Sequence, residues 1–320
     1  MRILIYRADG QTAPWVTEFA AVLPRAEVLV WREGAHDAGG DAGYDYAVLW
    51  APPAALLDQL AQTVQLKAIF VTGAGVDAVL NAGATLGAGL PDVPIIRLGD
   101  AGMALQMAEY VVHVVLRYFR RFDEYEQQAR GGVWAPLPPH DKTQFTIGVL
   151  GMGVLGRGVL AALGHFGFPL RGWSRTHKQI DGVDCYAGTE SLGAFLAGTR
   201  VLVCMLPLTP QTSNLLDRTR LLQLPRGACL INVARGAHIA EPDLVALIRS
   251  GHLAGATLDV FRHEPLPAPH PFWDEPRITI TPHISARTVL HDSVRQIAGK
   301  INALENGAPV ADVVDRILGY

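Results

Sequence analysis

The chain is short of the features that mark several protein classes. It has 3 cysteines in 320 residues. Cys185, Cys204 and Cys229 lie in separate segments and form no CxxC pair, so neither a disulfide framework nor a zinc site is expected, and no metal. Cys204 and Cys229 sit in apolar runs and read as small core residues. No uncharged apolar run reaches the roughly 18 residues of a membrane span. The first apolar run stops at Arg7 and Asp9, too short for the core of a signal peptide, so a cytoplasmic location is expected, with no membrane partner. Positive charge is not in excess either: Lys and Arg number 27 against 30 Asp and Glu, a net charge of −3. That argues against a general nucleic-acid binder.

Apolar residues, in contrast, make up 49% of the chain. That is enough for two buried cores and excludes a disordered, charge-rich chain. The length fits two domains. Short apolar runs at residues 2–6, 27–31, 46–50, 66–71 and 94–98 alternate with helical stretches, the first over 12–23. A second series has strands at 145–150, 170–173, 201–206, 229–233, 254–258 and 278–280. Such alternation implies parallel sheets covered by helices. Residues 103–130 read as one long helix, stopped by Gly131 and Gly132, and the Pro-containing segment 133–140 as an extended linker. A last helix spans 288–304. The expected fold is α/β, with two doubly wound, Rossmann-like domains. Residues 1–100 and 287–320 would form a flavodoxin-like substrate domain. The cofactor domain, 101–286, would be inserted in it.

Gly151-Met152-Gly153-Val154-Leu155-Gly156 follows an expected strand and opens a helix. In that context the glycines give a tight turn, room for a pyrophosphate at the backbone, and close helix packing. The helix N-terminus adds unpaired N–H groups for the phosphates. The next strand ends in Ser174-Arg175-Thr176-His177-Lys178, where an NAD site usually carries an acid for the ribose 2′-hydroxyl. A carboxylate would repel a 2′-phosphate, whereas Ser174, Arg175, Thr176 and Lys178 can donate to one, Arg175 with a planar fork. NADP(H) is therefore the expected cofactor, with NAD(H) as a second choice.

Three polar residues stand at apolar strand ends, where open α/β sheets bind ligands. Arg235 follows 229–233, Glu264 lies in a Pro-bounded loop after 254–258, and His283 follows 278–280. Behind a dinucleotide fingerprint they suggest a cation, a carboxylate and an imidazole around a nicotinamide. Trp50 ends another strand and reads either as a wall of the substrate pocket or as a core residue.

These motifs carry a resemblance. The glycine loop, Asn232-Val-Ala-Arg-Gly236, Asp259-Val-Phe-Arg-His-Glu-Pro-Leu-Pro267 and Thr281-Pro-His283 agree in order and spacing with the D-isomer-specific 2-hydroxyacid dehydrogenase family over essentially the whole chain. Trp50-Ala-Pro-Pro, Trp173-Ser-Arg-Thr, the segment 103–110 and the ending 314–320 resemble its bacterial glyoxylate and hydroxypyruvate reductase branch, A type. The resemblance implies NADPH-dependent reduction of glyoxylate to glycolate and of hydroxypyruvate to D-glycerate. Arg235 would grip the substrate, His283 would protonate the carbonyl oxygen, and Glu264 would favour the charged imidazole. The backbone N–H groups of Ala74, Gly75 and Val76 would face the substrate carboxylate. Asp259 would meet the nicotinamide carboxamide, and Leu206, Pro207 and Thr212 would border the adenine side. Val233, Ala234 and Ser285, in the same motifs, would line the cofactor. The helix and linker over 101–140 would make a homodimer, with Trp134 either reaching the partner's site or anchoring locally.

Two alternatives stay open. One is a dinucleotide-sensing binding protein of the corepressor type on the same fold. The other is a dehydrogenase for another 2-hydroxy acid. The absence of an added tail or basic arm favours an enzyme.

Overall fold

Parallel strands buried on both faces need continuous apolar runs, and the central runs read above become strands of that kind. The structure, a computed structural model, describes residues 1–34, 43–84 and 89–320. Its first elements are β1 (Arg2–Arg7), α1 (Ala13–Val22), β2 (Glu27–Val30), β3 (Tyr46–Trp50), α2 (Ala54–Ala61), β4 (Ala68–Val71), α3 (Asp77–Ala84) and β5 (Ile95–Arg97). Then come α4 (Met103–Phe119), α5 (Phe122–Arg130), β6 (Ile147–Leu150), α6 (Val154–Gly164), β7 (Leu170–Ser174), β8 (Asp184–Ala187) and α7 (Leu192–Ala197). The series ends with β9 (Val201–Cys204), α8 (Arg218–Leu221), β10 (Ala228–Asn232), α9 (Glu241–Arg249), β11 (Leu253–Leu258), β12 (Ile278–Ile280) and α10 (Leu290–Glu305).

The chain divides into two units. Met1–Gly102 with Thr288–Tyr320 form one, and Met103–Arg287 form the other, inserted in the chain of the first. The first unit has a parallel sheet of order β2-β1-β3-β4-β5, the flavodoxin-like order, whose direction of progression reverses between β1 and β3. Every residue of β4 is buried. Helix α10 packs on α1, and its Glu305 accepts hydrogen bonds from the Tyr46 hydroxyl (2.6 Å) and from Lys67 Nζ (2.7 Å). The C-terminal segment is thereby fastened to the sheet of its own unit.

The second unit has a parallel sheet of order β12-β11-β10-β9-β6-β7-β8, with its switch between β6 and β9. The strand period of two splits its core. Val201 and Val203 join Ile147, Val149, Leu160, Val111 and Val115 on one face. Leu202 and Cys204 join Leu230, Leu258, Leu247 and Ile248 on the other.

Two expectations need correction. The long helix over 103–130 is two helices, because Arg121 takes a left-handed backbone (φ 61°) between α4 and α5. Its guanidinium holds that break by bonding both oxygens of Glu124 (2.7 and 2.8 Å) and the Pro138 carbonyl (2.7 Å). The edge strand β8 was not anticipated: Asp184-Cys-Tyr-Ala187 has no apolar run, and pairing with β7 alone makes it a strand.

Candidate active site

The fingerprint loop joins β6 to α6 at the switch point of the second unit. Gly151 has φ +107°, and a Cβ there would lie 2.6 Å from the Met205 carbonyl oxygen. At Gly156 a Cβ would stand 1.9 Å from the Gly151 carbonyl oxygen, so helix and turn close only without a side chain. Gly153 differs: a Cβ there would meet nothing within 4 Å. It is the N-cap of α6 and offers no side-chain cap, which leaves the first N–H groups of the helix to a ligand. Met152 is buried, Leu155 half-buried and Val154 exposed. An open glycine face at a helix N-terminus fits a dinucleotide pyrophosphate.

At the end of β7, Arg175 and Thr176 are exposed, and Lys178 reaches back to donate to the Met152 carbonyl (2.7 Å). Burial, with the charge of Arg157 added, pushes the Lys178 ammonium below the usual lysine range. Arg157, on the first turns of α6, escaped the sequence reading because nothing local ties it to this loop. The Ser174 hydroxyl is committed to the Thr176 carbonyl (2.7 Å). Across the sheet, Leu206 is buried and Pro207 exposed, and Thr212 Oγ1 donates to the Pro207 carbonyl (2.7 Å) and holds that loop.

The three polar strand-end residues come together. His283 Nδ1 lies 2.7 Å from Glu264 Oε2, while Glu264 Oε1 accepts from the Phe261 N–H (2.9 Å). Burial raises the Glu264 pKa, but the His283 contact, the Phe261 N–H and the charges of His283 and Arg235 outweigh it, and the carboxyl sits below its ordinary range. Glu264 therefore stays a carboxylate at neutral pH. Arg235, half-buried, donates from Nη1 to the Ala234 carbonyl (2.7 Å). Val233 and Ala234 are buried beneath it.

Asp259 is fully buried and builds the His283 turn. Its Oδ1 accepts from Thr281 Oγ1 (2.6 Å) and the Ile284 N–H (2.8 Å), and its Oδ2 from the Ser285 N–H (2.8 Å). Its own carbonyl accepts from the His283 N–H (2.8 Å), which holds His283 at φ 53°. Since Thr281 donates to Asp259, the Tyr110 hydroxyl donates to Thr281 (2.6 Å). Three of about four carboxylate acceptor positions are thus filled from within the chain, leaving one on Oδ2. Tyr110 and Thr281 were read from the sequence only as parts of matching motifs, without a role. They lie on α4 and on the Thr-Pro-His turn, and only tertiary folding joins them.

In the first unit, no backbone N–H of Gly73, Ala74, Gly75 or Val76 donates a hydrogen bond among the described residues. The Leu98 N–H holds the Gly73 carbonyl (3.2 Å), and Arg97 Nη1 donates to the Ala74 carbonyl (3.4 Å). This is a fixed loop with open donors and a cation beside it. Trp50 is 40% exposed at the end of β3. Trp134 is 99% exposed, and α5 buries no residue. Among the described residues no three His, Cys, Asp or Glu side chains are grouped to hold a metal ion, and no helix is long and apolar enough to cross a membrane.

A seven-stranded sheet of this order, with an open glycine loop at its switch point, is of the dinucleotide-binding class. Residues 112–285 match the model of the D-isomer specific 2-hydroxyacid dehydrogenase NAD binding domain. The whole chain aligns with the whole of glyoxylate/hydroxypyruvate reductase A from Yersinia enterocolitica at 47% identity and from Serratia proteamaculans at 48%. Among solved structures, a D-isomer specific 2-hydroxyacid dehydrogenase from Xanthobacter autotrophicus Py2, in complex with NADPH and MES, has a TM-score of 0.93 at 40% identity, over 100% of this chain and 99% of that one. The NADPH-dependent glyoxylate/hydroxypyruvate reductase of Sinorhizobium meliloti, in complex with NADP and sulfate, has a TM-score of 0.88 at 34% identity over the same shares. The chain belongs to the D-isomer specific 2-hydroxyacid dehydrogenase family.

Proposed function

We propose that this protein reduces small 2-oxo acids with NADPH, glyoxylate to glycolate and hydroxypyruvate to D-glycerate. The observation that carries the proposal is the joined Glu264–His283 pair within reach of the Arg235 charge. The named activity of the full-length relatives supports the choice of substrates. Arg235 grips the substrate carboxylate or carbonyl by charge-assisted hydrogen bonds. Glu264 holds Nδ1 of His283, which leaves Nε2 to give a proton to the carbonyl oxygen. The bound nicotinamide supplies the hydride that C2 accepts.

The open face at Gly153 takes the pyrophosphate. Arg175, Thr176 and Lys178, with Arg157 beside them, receive the 2′-phosphate. Leu206, Pro207, Thr212, Val233, Ala234 and Ser285 line the cofactor, and the buried Asp259 holds the turn that carries Ser285 and His283 beside it. In the first unit, the N–H groups of Ala74, Gly75 and Val76 hold the substrate carboxylate and Trp50 limits substrate size. The protein acts in the cytoplasm as a homodimer through residues 101–140. The unburied α5 and the exposed Val133 and Trp134 support that interface.

The test follows NADPH absorbance in the near ultraviolet with glyoxylate, hydroxypyruvate and a panel of other 2-oxo acids, and repeats it with NADH. Consumption of NADPH with the first two, ahead of NADH, is expected. Tight NADPH binding with no turnover on any member of the panel would overturn the enzymatic reading in favour of dinucleotide sensing.

A further inference from the structure

His238 is 0% exposed and belongs to the 3-10 turn Gly236–His238 that follows β10. Its two ring nitrogens face two carbonyl oxygens. Nδ1 lies 2.9 Å from the carbonyl of Arg235, and Nε2 lies 3.3 Å from the carbonyl of Pro207. A carbonyl only accepts, and a neutral imidazole has one N–H. A neutral ring donates to one carbonyl only and turns its other nitrogen to accept, with the Cys204 thiol that also bonds the ring as its donor. Only the imidazolium donates to both carbonyls.

The two carbonyls belong to loops at the ends of neighbouring central strands, β9 and β10. One loop carries Pro207 on the proposed cofactor side. The other carries Arg235, the proposed substrate grip, whose carbonyl also accepts from Asn232 Nδ2 (2.9 Å) and from the His238 N–H (3.2 Å). We propose that His238 is a positioning residue, a buried imidazolium that ties the Pro207 loop to the backbone of Arg235 and so sets the aim of its guanidinium. This rests on the role given to Arg235 above.

Burial by itself would disfavour the charged ring. The Cys204 sulfur on β9 and the carbonyls of Pro207 and Arg235 outweigh it, and the pKa of His238 is raised above the ordinary value. Cys204 is the titratable side chain that bears on the ring, and Arg262 Nη2 donates to the Ala237 and Ile239 carbonyls on either side of it (3.5 and 2.9 Å). The strut is thus complete below the ordinary imidazole pKa and is lost as pH rises through the raised one.

The test has two arms. Imidazole nitrogen NMR of the wild-type protein, followed upward from about pH 6, should show one ring that keeps protons on both nitrogens, exchanging slowly with solvent, past the ordinary value of about 6.5. A spectrum with no such ring overturns the strut, and this arm needs neither turnover nor a variant. In His238→Gln, whose single amide nitrogen replaces two ring nitrogens that face different loops, KM for the 2-oxo acid should rise about tenfold while kcat falls less, because the grip and not the proton donor has moved. An unchanged KM, with activity falling only as the folded fraction falls, reduces His238 to a structural residue and overturns the positioning role. If the wild type turns over no 2-oxo acid, the functional reading fails while the spectrum still decides the protonated strut.

Discussion

At the switch point of the first unit the end of β1 is filled with side chains. The Arg7 guanidinium lies 4.9 Å from the centre of the Trp15 ring and 5.1 Å from that of Trp50. It pairs with both oxygens of Asp9 and donates to Thr72 Oγ1. At the switch point of the second unit, the matching turn has glycine at 151 and 153, and a Cβ on Gly153 would meet nothing within 4 Å. Both sheets are parallel and both reverse direction at that point. The residues at the strand end, and not the topology, leave one turn open at its glycine and pack the other with side chains.

The largest effect expected is at His283, the proposed proton donor of the second unit. His283→Ala should lower kcat/KM by about 10²–10⁴ in both directions, read by steady-state kinetics. Two glycine substitutions should then separate room for a ligand from room for the fold. Gly156→Ala puts a methyl against the Gly151 carbonyl and should cost about 1–3 kcal/mol, seen as a lower melting temperature. Gly153→Val should leave the melting temperature of the free protein unchanged and weaken NADPH at least about tenfold, because its side chain enters the space left for the pyrophosphate. Equal effects of the two would break the contrast drawn here. Arg175→Ala should lower the preference for NADPH over NADH by about tenfold to hundredfold, the worth of one charge-assisted bond of about 1.5–3 kcal/mol. Equal losses for both cofactors would remove Arg175 from the 2′-phosphate.

The smallest effect lies in the filled crevice of the first unit. Arg7→Met should cost about 1 kcal/mol at neutral pH and leave NADPH affinity unchanged. Burial raises the Asp9 pKa, but the Arg7 hydrogen bond, the Gln11 N–H and the Arg7 charge outweigh it and hold the carboxyl below its ordinary range. A depressed carboxyl stabilises the fold above its ordinary pKa of about 3.9, and that contribution is lost as pH falls through the depressed value. The difference in melting temperature between wild type and Arg7→Met should therefore shrink in acid.

What could be read from the sequence is what chemistry concentrates locally. The glycine loop, the acid-free end of β7 and the three polar strand ends each carry their signal within a few residues. The two sheets follow from apolar runs for the same reason. Contacts that only the tertiary fold creates left no such trace. Tyr110 reaches Thr281 from α4, Arg157 bears on Lys178, and Arg7 finds its rings on α1 and at the end of β3. The break at Arg121 is hidden because no Gly or Pro marks it: a side chain bonded to Glu124 and Pro138 holds the turn instead. His238 reads locally as one more polar residue beside a glycine, and only burial between two carbonyls gives it a task.

In the proposed reaction the Glu264–His283 pair of the second unit moves a proton in step with the hydride, while Arg235 holds the substrate. The most direct measurement of this is the pH dependence of kcat/KM in each direction for wild type and Glu264→Gln. Reduction requires a charged His283 and oxidation a neutral one. Glu264→Gln keeps size and a hydrogen bond but removes the carboxylate charge that is coupled to His283. The alkaline limb of reduction should therefore move toward acid, while oxidation at alkaline pH suffers less than reduction at neutral pH. An alkaline limb that stays where it is in the variant would mean that Glu264 does not govern the proton on His283, and the pair would lose its place in the mechanism.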